Sequence, residues 1–258
     1  MPAANGHAPE SAFDEPPGLS ARGTLLLIPG RGEEPSLYQR LGRRLAADAY
    51  RVRVLPDPAD DAAATLSQVT SLLADPDTAS PRVLAGSDTG ALYAIALVAA
   101  GDAGQADALI LAGLPTVSRP VGAAAPGAEP SWDEELDIRT SCPTHRGVLS
   151  RAAVRRGALF EPVPAGWLEQ ADLSQVKLPV LGIHGSADPV SPLADARDRY
   201  RRAPAAQLVS IAGGRHDALN DLTHRTVAAT IVLFLERLRL GTDLPVIAAG
   251  EQLEPASA

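Results

Sequence analysis

The segment 83–90, VLAGSDTG, constrains this chain more than any other. An apolar run stops at Gly86, the string Gly86-Ser87-Asp88-Thr89-Gly90 follows, and an apolar stretch continues to residue 100. A strand that turns sharply into a helix forces its central residue into a strained backbone. It also needs small residues two positions before and two after that centre. Gly86 and Gly90 meet the demand, which puts Asp88 at the centre. An aspartate before a helix is ordinarily an N-cap; the paired glycines set this one apart.

The rest of the chain repeats the same beat. Short apolar runs at 24–28, 52–55, 83–85, 108–112, 180–183 and 208–211 end in Gly, Pro or a polar loop. Stretches with helical spacing follow at 37–47, 62–74, 91–100 and 223–239. Unalternating strands separated by helices indicate a parallel sheet buried on both faces. The expected fold is α/β, doubly wound, with about six strands. Residues 22–115 and 178–240 form the expected core.

Residues 116–177 break the rhythm. They hold Gly, Pro, charge and both tryptophans, Trp132 and Trp167, with no clear strand. So long an interval between two strands reads as a cap inserted over the carboxyl ends of the sheet, where open α/β sheets bind ligands. Residues 1–21 have neither a basic nor an apolar signal region, and with 241–258 they read as mobile tails.

Composition narrows the function. The 258 residues carry a net charge of −8, and only 3% are aromatic. An acidic surface repels phosphate backbones and anionic lipid, and so few rings cannot build a base-stacking platform. No apolar run reaches the ~20 residues of a membrane span. A single cysteine, Cys142, can form neither an internal disulfide nor a cysteine-based zinc site. No metal-ligand spacing, GxGxxG string or P-loop string is present. The expectation is a cytoplasmic, cofactor-free protein acting on a small molecule, without nucleic-acid or membrane partners. The oligomeric state is left open.

Three more motifs stand in order around the Asp88 turn. Pro29-Gly30-Arg31-Gly32 follows the first run, His184-Gly185-Ser186-Ala187-Asp188-Pro189 the fifth, and Gly213-Gly214-Arg215-His216-Asp217 the sixth. With the turn at 86–90 they resemble the α/β-hydrolase superfamily, over about residues 22–240 apart from the cap. The resemblance implies a nucleophile elbow at Asp88, an acid at Asp188, a histidine at His216, and an oxyanion loop using the backbone N–H groups of Arg31 and Thr89. The family's first hairpin is missing or reduced to a few residues. Aspartate at the elbow is similar to epoxide hydrolases and haloalkane dehalogenases, which usually show His-Asp-Trp there; this chain has Ser87-Asp88-Thr89. No tyrosine lies in the cap, where such epoxide hydrolases carry two.

An elbow aspartate implies attack on an electrophilic carbon of a small, largely apolar substrate and an alkyl-enzyme ester that water then cleaves. Three alternatives remain open. Asp88 and His216 could serve as a non-covalent acid/base pair in a cyclase or lyase. Ser87 could be the nucleophile of an esterase or thioesterase in a shifted elbow, which would leave the glycines unexplained. The fold could also be a binding module without catalysis. In the cap, Trp132, Trp167, Cys142 and His145 are candidate pocket residues, although packing explains each as well. Arg31 is a candidate for a substrate anion, with pairing to Glu33 or Glu34 as the competing reading. His184 is expected to be structural.

Overall fold

The computed structural model describes residues 11–117, 130–151 and 154–249. Parts of the expected tails and cap, residues 1–10, 118–129, 152–153 and 250–258, lie outside the described residues. In chain order the strands are β1 (Ala12–Phe13), β2 (Gly23–Ile28), β3 (Tyr50–Val54), β4 (Arg82–Ser87), β5 (Ala108–Ala112), β6 (Val180–Gly185) and β7 (Ala206–Ile211). The helices are α1 (Gln39–Ala47), α2 (Ala62–Ala74), α3 (Thr89–Ala100), α4 (Trp132–Arg139), α5 (Pro143–Leu149), α6 (Trp167–Gln170), α7 (Leu193–Tyr200) and α8 (His224–Leu240).

One sheet of seven strands runs β1-β3-β2-β4-β5-β6-β7. All neighbours are parallel except β1, which pairs antiparallel with β3. Strands β2, β4, β5 and β6 are buried apart from Arg82 at the start of β4, because helices cover both faces. Leu41 and Leu45 of α1 and Ile231, Phe234 and Leu235 of α8 form one layer with the sheet. Val69 of α2, Leu92 and Ile95 of α3 and Tyr200 of α7 form the opposite layer.

The edge departs from the expectation of six strands and a free tail. Ala12 and Phe13 pair with Arg53 and Val52. The Phe13 ring lies where a Cβ on Gly42 would approach its Cδ2 to 2.3 Å, so α1 can dock over the ring only because residue 42 has no side chain. The reduced first hairpin is thus this two-residue strand, which a single apolar residue among Pro, Glu and Asp does not reveal by periodicity. At the other end Leu244 packs on the core, and its carbonyl accepts from Arg237 Nε at 3.0 Å. Part of each expected tail therefore belongs to the fold.

The cap segment contains α4, α5, α6 and two short 3-10 turns, Ala158–Phe160 and Leu173–Gln175. Helix α4 begins with a capping box: Ser131 and Glu134 each satisfy the other's backbone N–H. Replacing Phe13 with Ala should lower stability by about 3 kcal/mol, read as a fall in the urea midpoint. An unchanged midpoint would show that residues 11–21 do not belong to the cooperative unit.

Candidate active site

Asp88 connects β4 to α3 with φ 47° and ψ −124°, a left-handed region that an L-residue occupies only under constraint. The glycines supply that constraint. A Cβ on Gly86 would lie 2.3 Å from the Gly90 carbonyl oxygen, and one on Gly90 would lie 2.4 Å from that of Ile28. The chain therefore turns around residue 88, and Ser87 is the last residue of β4, buried beside Tyr38. The Asp88 N–H donates to the Ala112 carbonyl at 3.0 Å, which ties the elbow to β5.

The loops after β6 and β7 bring two more side chains to the elbow. His216 Nδ1 lies 2.9 Å from Asp188 Oδ2, and His216 Nε2 faces Asp88 Oδ1 at 3.3 Å, an ion-pair contact without the geometry of a hydrogen bond. The N–H groups of Val190 and Ser191 donate to Asp188 Oδ1 at 2.8 and 3.1 Å. His184, fully buried, supports this loop: its Nε2 bonds the Ser191 carbonyl at 2.7 Å and lies 3.3 Å from Asp188 Oδ2. Burial pushes the His184 pKa down and favours the neutral ring, as expected for a structural histidine.

Arg31 is the residue that most changes the site. Its Nε donates to Asp88 Oδ2 at 2.7 Å and its Nη2 to Asp88 Oδ1 at 2.8 Å, a fork gripping both carboxylate oxygens. Its backbone N–H is 3.2 Å from Asp88 Oδ2, on the side where an oxyanion loop would lie. From the cap, the Glu161 carbonyl accepts from Arg31 Nη1. Thr89, the other expected oxyanion donor, is fully buried at the start of α3. Asp88, Arg31 and His216 are only 3%, 2% and 2% exposed, so the charges neutralise one another away from water.

The electrostatics follow from that enclosure. Burial alone would raise the Asp88 pKa, but Arg31 and His216 override it and hold the carboxyl well below its usual range. Burial would lower the His216 pKa; Asp188 and Asp88 override that and push it up to about 10. At neutral pH the site holds two carboxylates, one guanidinium and one imidazolium. Asp57, whose Oδ2 accepts the Gly32 N–H at 2.7 Å, is raised to about 6 by burial.

A second buried network lies behind the first. Arg139 of α4 donates through Nη1 to Glu33 Oε1 at 2.8 Å and through Nε to Glu135 Oε1 at 3.0 Å, and it stands 3.6 Å from Asp217 Oδ1. The Tyr38 hydroxyl donates to Glu33 Oε2. The carbonyls of Ile138 and Arg139 accept the N–H groups of His216 and Asp217 at 3.4 and 2.8 Å. The cap thereby grips the histidine loop. Sequence reasoning placed none of Glu33, Tyr38 or Arg139 here; the Glu135–Arg139 spacing of four on a helix was the available signal.

Of the four candidate cap residues, Trp132 borders a cavity of about 520 Å³ with Arg156, Phe160 and Glu161, and the Arg156 guanidinium sits 4.8 Å above its ring. The other three make their contacts elsewhere. Trp167 leans on Tyr93 with ring centroids 5.0 Å apart. Cys142 is buried with its sulfur 3.6 Å from Arg40 Nη1, and His145 Nε2 lies 3.2 Å from Asp217 Oδ2. Each of these three side chains packs against or pairs with a partner inside the fold. Among the described residues, no group of three or more His, Cys, Asp or Glu is arranged to hold a metal ion. No helix among them is long and apolar enough to cross a membrane.

The sheet order, the strained elbow and the ordered loops define the α/β-hydrolase fold. No protein-family model matches the sequence, and no curated protein matches it. Solved structures do. A soluble variant of monoglyceride lipase from Saccharomyces cerevisiae superposes with a TM-score of 0.67 at 16% identity, covering 87% of this chain and 90% of that one. An esterase from Rhodococcus sp. ECU1013 gives 0.63 at 23% identity over 84% and 91%. A thioesterase domain from the curacin biosynthetic pathway gives 0.60 at 17% identity over 86% and 93%. At these identities the likeness is one of fold.

Two outcomes are expected. Arg139→Met should cost about 3–5 kcal/mol in urea unfolding, since it leaves three buried acids without their cation. The second concerns pH. His216 is raised above the ordinary 6.5, so its contribution to stability is complete below about pH 6.5 and is lost as pH rises through about 10. The urea midpoint should therefore fall over that interval in the wild type, and fall less in His216→Gln.

Proposed function

We propose that the chain is an enzyme that opens or hydrolyses a small electrophilic substrate through an ester on Asp88. The observation that carries this reading is Asp88 at φ 47°, with its carboxylate 3.3 Å from His216 Nε2 and His216 backed by Asp188. A carboxylate in that position suits attack on an sp³ carbon bearing a leaving group.

For an epoxide the proton count closes without a cap tyrosine. An Asp88 oxygen attacks a ring carbon, the C–O bond breaks, and the oxygen takes the proton of the His216 imidazolium. Ester formation removes the Asp88 charge, one of the two anions that held that proton, so the ring is left neutral and basic. His216 then takes a proton from water while the hydroxide adds to the Asp88 carbonyl carbon. Collapse releases the diol; the proton of the new acid passes to the alkoxide, restoring carboxylate and imidazolium. The Arg31 N–H, already on the carboxyl group, is suited to the tetrahedral oxyanion, and such a donor contributes about 3 kcal/mol. With an alkyl halide the leaving group departs as the anion; the His216 proton, no longer held by the Asp88 charge, passes to water before the ring acts as base, so each turnover releases one proton.

A second reading is ester or thioester hydrolysis, favoured by what the structural neighbours are: a lipase, an esterase and a thioesterase. It would call on Ser87, or on water activated by the Asp88–His216 pair. Single turnover of an epoxide in ¹⁸O-water, followed by peptide mass analysis, separates these routes. The label is expected in the Asp88 carboxyl; label in product alone would exclude the ester. A fluorophosphonate probe should leave Ser87 unmodified, and an adduct there would transfer the assignment to the serine route.

A further inference from the structure

Both oxygens of Asp88 are occupied in the resting site. Oδ1 accepts from Arg31 Nη2 and faces His216; Oδ2 accepts from Arg31 Nε and lies 3.2 Å from the Arg31 N–H. A carboxylate gripped by a guanidinium fork has its lone pairs engaged and is a poor nucleophile. A neutral substrate would face two unfavourable choices. It could leave the pair intact and meet a quenched carboxylate, or it could displace Arg31 and strand a buried cation.

We infer that the substrate carries its own anionic group, a carboxylate or an oxyacid of similar shape, close to the electrophilic carbon, and that Arg31 binds it. This rests on the Asp88 ester reading. An anion of that shape can take Asp88's place in the guanidinium fork, which is a fixed planar donor set. Asp88 is then released toward the reacting carbon while His216 remains beside it. The charge count favours this class most strongly after attack. Ester formation abolishes the negative charge on Asp88, and with a neutral substrate Arg31 would be left buried with the Glu161 carbonyl but no anion to pair with. A substrate anion replaces the lost charge where it was, so the covalent state is selectively stabilised.

Arg31 is tied to one residue that lines a neighbouring cavity. Arg31 Nη1 is held by the carbonyl of Glu161, a residue that also borders the 520 Å³ cavity beside Trp132 and Phe160. The charged side chains around that cavity already have partners: Glu161 pairs with Arg155, Glu135 with Arg139, and Arg156 lies over Trp132.

Turnover of glycidate and of neutral glycidamide by the full chain tests the inference, with ¹⁸O incorporation into Asp88 followed for both. Hydrolysis of glycidate consumes one water and yields glycerate. The expected kcat/KM is at least tenfold higher for glycidate. That preference should shrink toward unity in Arg31→Met, and fall partly in Arg31→Lys, which keeps the charge but loses the fork. Equal or faster turnover of glycidamide with label in Asp88 would overturn the anion inference and leave the ester reading standing. Turnover of either compound without label in Asp88, or of neither, would overturn both. Should Arg31→Met fail to fold, the Arg31→Lys ratio decides: an unchanged preference counts against Arg31.

Discussion

The site depends on one buried carboxylate and the two cations that make it tolerable. Placing Asp88 out of water would ordinarily drive it to protonate. Arg31 from the loop after β2 and His216 from the loop after β7 reverse that preference, and both reach the elbow because parallel strands end on the same edge of the sheet. His216 in turn is held by Asp188, and Asp188 by two backbone N–H groups and by His184. Each group keeps its charge state through the next, so the arrangement behaves as a unit.

The cap contributes to that unit from behind. Carbonyls of Ile138 and Arg139 hold the backbone of His216 and Asp217, while Asp221 accepts from Thr140 Oγ1, Ser141 N and Arg215 N at 2.9, 2.8 and 2.8 Å. The Arg139 side chain joins this clamp to Glu33 in the loop that carries Arg31. Motion of α4 would therefore disturb both cations facing Asp88. Burial also raises the Glu33 pKa, with Asp217 adding to it, which eases the excess of acid around a single arginine.

Much of this was legible in the chain. The alternation of apolar runs with helical stretches gave a doubly wound sheet, because burial on both faces leaves a pattern that needs no partner to be recognised. The Gly-flanked Asp88 and the loops holding Asp188 and His216 were legible because each follows a strand end. What escaped was of another kind. Phe13 fits beneath α1 through the absence of a side chain at Gly42, 29 positions away by chain order. The partners of Trp167, Cys142 and His145, which are Tyr93, Arg40 and Asp217, are likewise distant in sequence and could not be read from residue type.

By itself the sequence determined the fold class and which residue stands at the elbow, since strand burial, helix periodicity and glycine sterics are local or nearly so. Tertiary structure decided the charge state of the site. Arg31 follows Pro29-Gly30 and precedes two glutamates, and nothing local says whether it pairs with them, with water or with Asp88. It pairs with Asp88 because the strand order sets β2 beside β4, bringing 31 and 88 together across 57 positions. In that enclosure Coulomb attraction is little screened, and the pairing follows from the packing.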